Sequence, residues 1–149
     1  MIMSENARNT NKLASLKKAV HPRFQINEHV TLSTGYSAGM QGMTGKITGS
    51  YDTRAYTVTY QPTNGQPLVV NYKWIVQEEI VNSPKEKLTN GKMILLKADH
   101  QVGMEGAKAV IESSIDTTVY KIEYPEIRNE RVAHQVWVIE EDLMQPKNG

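Results

Sequence analysis

The chain has 149 residues, 17 Lys plus Arg against 16 Asp plus Glu, a formal net charge of +1 and no cysteine. That length holds one ordinary domain or two very small ones. The near-balance of charge removes the broad positive field that nonspecific nucleic-acid binding needs, and the missing thiols exclude disulfides, thiolate metal centres and a cysteine nucleophile.

The first 25 residues carry Arg8, Lys12, Lys17, Lys18 and Arg23 against only Glu5 and read as a basic, flexible segment. Its opening, Met1-Ile2-Met3-Ser4-Glu5-Asn6, turns polar too soon for a signal-peptide core. The chain contains no apolar run of the ~18 residues a membrane-spanning helix requires, so no transmembrane segment is expected.

Val30 and Leu32 are an alternating apolar pair suited to an opening strand. The glycine-rich Gly39-Met40-Gln41-Gly42-Met43-Thr44-Gly45 follows, with neither the phosphate-loop lysine nor a GxGxxG in a βαβ setting, so it reads as a tight turn. Lys46-Ile47-Thr48 starts the next strand. Ser50-Tyr51-Asp52-Thr53 reads as a turn, with the Asp52 carboxylate accepting backbone N–H bonds.

Beyond it, Tyr56, Val58 and Tyr60 fall on one face of a strand and Thr57 and Thr59 on the other. Asn64-Gly65 signals a hairpin reversal. A last strand holds Trp74-Ile75-Val76, and the acidic Glu78-Glu79 behind it reads as a solvated strand end or the start of a 3₁₀ turn.

The same pattern then recurs. Gly39-Met40-Gln41-Gly42 returns as Gly103-Met104-Glu105-Gly106, and at the same offset of 64 the blocks from Ser50 to Tyr60 return from Ser114 to Tyr124. Val30, Leu32 and Ile47 return as Ile94, Leu96 and Ile111. After one residue is lost, Trp74-Ile75-Val76 returns as Trp137-Val138-Ile139. This is duplication. It places one copy at 26–80, a ten-residue connector at 81–90, a second copy at 91–143 and a tail at 144–149. Five short strands per copy predict an all-β protein of two tandem small SH3-like barrels, each five-stranded and partly open; an OB-like barrel needs a helix for which the copy has no room.

Two sets of side chains carry conceivable chemistry. His100, Met104 and His134, with Met40 and Met43 in the first copy, offer imidazole and thioether donors of the softness that favours copper. Packing is the competing account, since Met fills core gaps and the first copy has Tyr36 and Asn71 where the second has His100 and His134. Tyr36, Tyr51 and Tyr72 are the aromatic residues least tied to the repeated core face and form a possible ligand platform. No nucleophile elbow or specific nucleophile–base pairing is present, so no catalytic residues are assigned and no enzyme is expected.

The recurring Gly-Met-x-Gly, Asp-Thr, Tyr-x-Val/Ile-x-Tyr and Trp-Val/Ile blocks over residues 26–143 resemble the YdhK-like family. The clearest local match is Ala98-Asp99-His100-Gln101-Val102-Gly103-Met104-Glu105-Gly106 followed by Asp116-Thr117-Thr118-Val119-Tyr120. The resemblance implies SH3-like units in an extracytoplasmic, secreted or lipoprotein-like protein of a Gram-positive cell envelope. The family's Asn-His-Lys-Trp block is here Asn71-Tyr72-Lys73-Trp74 and His134-Gln135-Val136-Trp137, so its histidine is missing from both copies. The expected function is a noncatalytic envelope-associated or secreted interaction module for an envelope component or small ligand, with a copper-binding protein as the alternative.

Overall fold

A computed structural model describes residues 16–33, 42–124 and 133–146, with backbone alone at 133–135. Eight strands follow in order: β1 (Lys17–Lys18), β2 (His29–Leu32), β3 (Thr44–Gln61), β4 (Val69–Val76), β5 (Met93–Leu95), β6 (Lys108–Tyr124), β7 (Ala133–Ile139) and β8 (Leu143–Met144). Single 3₁₀ turns, Gln77–Glu79 and Glu140–Asp142, follow β4 and β7, as the acidic residues behind each tryptophan predict. The all-β expectation holds among the described residues.

The predicted turns at 50–53 and 114–117 do not form. β3 and β6 run unbroken through them, 18 and 17 residues long. Neither stretch contains Gly, Pro or Asn, neither shows a positive φ, and Tyr, Thr and Ile favour extended backbone there. Asp52 and Asp116 therefore act from mid-strand. Asp52 accepts bonds from Thr118 Oγ1 at 2.9 Å and Val20 N–H at 3.0 Å. Asp116 accepts from Arg54 Nε at 2.6 Å.

Because the strands do not turn, the compact units cut across the two sequence copies. One unit contains Thr53–Asp116, and the other contains Lys18–Asp52 with Thr117–Gly149. Each thus combines the later half of one copy with the earlier half of the other. The first core gathers Tyr56, Val58, Tyr60, Ile75, Leu96, Met104 and Ile111. The second gathers Tyr120, Ile122, Tyr124, Val138, Leu32 and Ile47 around Phe24. Burial of each such aliphatic side chain contributes roughly 1.5–3 kcal/mol before chain entropy is charged against it.

Tyr56 and Tyr120 hold matching places in these cores. Tyr56 Oη bonds to Gln77 Oε1 and accepts Leu88 N–H at 3.0 Å. Tyr120 Oη donates to Glu140 Oε1 at 2.5 Å and accepts Phe24 N–H at 3.3 Å. Thr57, on the face opposite Tyr56 and Val58, is also buried, and its hydroxyl lies 2.5 Å from Ser113 Oγ.

The barrel expectation fails. Hydrogen-bonded strands follow an open path, β5-β6-β3-β2-β8, with β1 and β4 attached to β3 and β7 to β6. In the first unit the far edge is met by the isolated bridge Ile80↔Leu96 and not by a paired strand among the described residues. In the second, β8 pairs with β2 through Thr31↔Met144 and Leu32↔Leu143, while β7 and β8 are consecutive in the chain and not paired. The strands needed to seal an SH3-like closure are too short, and the two long strands spend their length passing through both units.

In the second copy the Gly-Met-x-Gly loop is a tight turn; Gly39, Met40 and Gln41 of the first copy lie outside the described residues. Gly103 and Gly106 both take positive φ, 87° and 82°, a region open to glycine at no steric cost. Between them Met104 drops into the first core with no exposure.

Candidate functional site

His100 sits in a closed chain of hydrogen bonds within the first unit. The 3₁₀ turn after β4 brings Glu79 back toward the strand, where its Oε1 accepts Val76 N–H at 3.0 Å. Its Oε2 lies 2.6 Å from His100 Nε2, and His100 Nδ1 lies 2.9 Å from Tyr72 Oη. The Glu79 and His100 side chains are each only 7% exposed. In the tautomer whose Nε2–H donates to the carboxylate, Nδ1 accepts from the Tyr72 hydroxyl. Burial, then the nearby Glu79 and Tyr60, raise the Tyr72 hydroxyl above the usual tyrosine range. Glu79 is accordingly a buried partner, in contrast to the solvated strand end predicted from its acidic neighbours.

This chain overturns the copper alternative. Both imidazole nitrogens of His100 are engaged by protein groups, and Met104 is enclosed in the core. Met43 packs against the core of the second unit. His134, on β7, pairs through its backbone with Glu123 of β6; its side chain, Met40 and Tyr36 lie outside the described residues. Among the described residues, no group of three or more His, Asp or Glu is placed to hold a metal ion.

The remaining aromatic candidates are separately occupied. Tyr72 meets Tyr60 edge to face, ring centroids 6.0 Å apart, in addition to its bond to His100. Tyr51 meets Trp137 edge to face at 5.8 Å in the second unit, where the Lys121 ammonium lies over both rings at 5.8 and 5.6 Å.

A feature that sequence reasoning missed is an open apolar groove of about 690 Å³ in the first unit. Its lining includes Ile80, Val81, Leu88, Met93, Ile94 and Leu95, with Lys92 and Lys108 as its charged members. The groove forms because the connector after residue 80 is tied down along one side. Gln77 Nε2 donates to the carbonyls of Pro84 at 2.8 Å and Glu86 at 3.0 Å, and Leu88 anchors in the core. β5 supplies the opposite wall, with Met93 60% and Leu95 44% exposed. The signal was present in the run Met93-Ile94-Leu95-Leu96, apolar on both faces of a short strand, where the first copy alternates as His29-Val30-Thr31-Leu32.

These features define an all-β protein of two units built from a duplicated sequence, with its polar cluster locked into the scaffold and a wet apolar groove on the first unit. The chain belongs to the family described as "Protein of unknown function (DUF1541)", whose model matches residues 27–77 and 90–140. It is 39% identical over 129 residues to "Uncharacterized protein YdhK" of Bacillus subtilis (strain 168), a match covering 86% of this chain and 63% of that protein's length. It is also similar to the crystal structure of a DUF1541 family protein (ydhK) from Bacillus subtilis subsp. subtilis str. 168, with a TM-score of 0.83, 38% identity and coverage of 87% of this chain and 89% of that one. The solution structure of the ydhK C-terminal domain from B. subtilis matches with a TM-score of 0.75 and 37% identity, over 82% of this chain and 93% of that one.

Proposed function

We propose that the protein is a noncatalytic interaction module of the cell envelope or the secreted fraction, and that the groove of the first unit is its binding surface. The observation that carries this reading is the exposure of Met93 and Leu95 along a cleft of about 690 Å³. That size falls within the roughly 300–1,000 Å³ common for small-ligand sites, and leaving contiguous apolar surface wet has an energetic cost that a partner would relieve. The buried polar groups support a structural part for themselves, since Tyr72, His100 and Glu79 satisfy one another. The envelope location rests on the resemblance to YdhK-like proteins.

The test is co-sedimentation of the full chain with envelope fragments of a Gram-positive bacterium, compared with Leu95→Asp, an exposed substitution that leaves both cores intact. Binding by the parent chain and its loss in L95D supports the proposal. Absence of binding, or equal binding by both, overturns it.

A further inference from the structure

Resting on the reading of the groove as a binding surface, we propose that its ligand is a single acyl-chain amphiphile with a carboxylate head. The chain would lie along Leu95, Met93, Ile80 and Val81, and the head would sit by Lys108, which β6 sets opposite Leu95, with Lys92 at the other end of β5. The lining contains no acidic side chain. Both lysines are exposed and form no ion pair among the described residues. A lysine beside an apolar wall can cover it with its aliphatic stem and keep its ammonium in water, which at the Lys108 end suits a molecule apolar along its length and anionic at one end.

The second unit provides an internal control. At the positions equivalent to Lys92, Leu95 and Lys108, offset by 64, it has Glu28, Thr31 and Thr44. There the Thr31 and Thr44 hydroxyls bond to each other at 3.0 Å, and Met144 of β8 pairs with Thr31. The equivalent of Met144 is Val81, which in the first unit gives its N–H to the Leu95 carbonyl at 2.9 Å without extending into a strand. The fold thus tolerates a polar, strand-covered version of this place, and the apolar, cationic version belongs to the first unit alone.

Part of the backbone that a peptide added as a strand would pair with is already taken. On the outer edge of β5, the Leu95 carbonyl is taken by Val81 and the Lys97 N–H by the Glu79 carbonyl, at 2.7 Å. Strand addition needs such groups free, whereas an acyl chain needs only side-chain surface.

The experiment is amide NMR titration of the full chain with dodecanoate, with dodecyl maltoside and with dodecyltrimethylammonium, all below micelle formation. Dodecanoate is expected to produce saturable shifts centred on residues 80–95 and 108, with affinity about tenfold above that of the neutral amphiphile, equivalent to ~1.4 kcal/mol of head-group recognition. The double variant Lys92→Ala/Lys108→Ala should lose that preference while keeping a native spectrum, and Leu95→Asp should lose binding of all three. Equal affinity for every head group, or shifts centred elsewhere, overturns the proposal. If dodecanoate fails while L95D still abolishes envelope binding, the ligand assignment falls and the interaction-module reading stands. If dodecanoate binds as described while L95D leaves envelope binding unchanged, the reverse holds.

Discussion

Glu79 and His100 meet at 2.6 Å although they come from different copies of the repeat, Glu79 from the 3₁₀ turn that closes the first and His100 from the loop that opens the second. Their contact records, in one bond, the exchange of halves that builds each unit. His100→Ala removes the imidazole from a buried carboxylate and the acceptor from Tyr72. We expect a loss of about 2–3 kcal/mol, and about 1 kcal/mol for Tyr72→Phe, measured by urea unfolding. A loss in H100A within error of zero would show that the network contributes nothing to stability.

Separated copies should not fold as monomers. A fragment ending near residue 82 has only the N-terminal part of each unit, up to Asp52 of one and from Thr53 of the other, so neither core is complete. Circular dichroism and sedimentation should find each fragment unfolded or self-associated, with native sheet recovered on mixing the two. A folded monomer of either fragment would contradict the exchanged arrangement.

The two tyrosine hydroxyls at the ends of their core faces differ in what they hold. Tyr56→Phe strands the buried Leu88 N–H and is expected to cost about 1–3 kcal/mol. Tyr124 Oη is buried with no partner among the described residues, so Tyr124→Phe should be neutral or stabilising by up to about 1 kcal/mol. Thermal unfolding of the pair, compared with the parent, separates the two outcomes.

Gly45 and Ala109 are equivalent positions with different room. A methyl at Gly45 would lie 2.5 Å from Ile122 Cγ2 and 3.0 Å from the Glu123 carbonyl, whereas the other unit accommodates Ala109 in its core. Gly45→Ala should cost about 1–3 kcal/mol through overpacking, and Ala109→Gly about 0.5–1 kcal/mol through chain entropy. Hydrogen exchange resolved by residue would assign each loss to its own unit.

Alkaline pH should unfold the protein through its tyrosines. Burial pushes Tyr124 up to about 12 and raises Tyr60, Tyr72 and Tyr120 from the ordinary value of 10.0, with Glu79 adding to Tyr72 and Glu140 to Tyr120. A folded-state value above the unfolded one means stability fully present below pH ~10 and lost as pH rises through the folded values. Unfolding free energy should therefore be flat across the tyrosine range below pH ~10 and fall above it, with tyrosinate absorbance developing late and in step with loss of sheet signal. Early tyrosinate formation without unfolding would refute this.

Much of this architecture is legible in local pattern. Period-two alternation at Tyr56, Val58 and Tyr60 and again at Tyr120, Ile122 and Tyr124 identifies the buried faces, because side chains of a strand must alternate. Asn64-Gly65 marks its reversal, with Gly65 at φ 83°, and the acidic residues after each tryptophan mark the 3₁₀ turns. The candidate site is less legible. His100 is visible as a residue type, but its partner Glu79 sits beside an acidic neighbour that makes both look solvated. The groove depends on where the connector is tied down, which Gln77 decides through bonds to backbone carbonyls.

The amino-acid sequence by itself determines that this is an all-β protein made by duplication, and which side chains turn inward, since those follow from strand periodicity and from comparing two copies. Only the tertiary structure decides which copy each half packs against, and with it the open sheet and the groove. The physical reason is that the copies present equivalent apolar faces, so local burial is satisfied by either partner. The choice falls to the stretches around Asp52 and Asp116, whose residues are compatible with a turn or a strand and become strand when hydrogen bonds from Thr118, Val20 and Arg54 hold them extended.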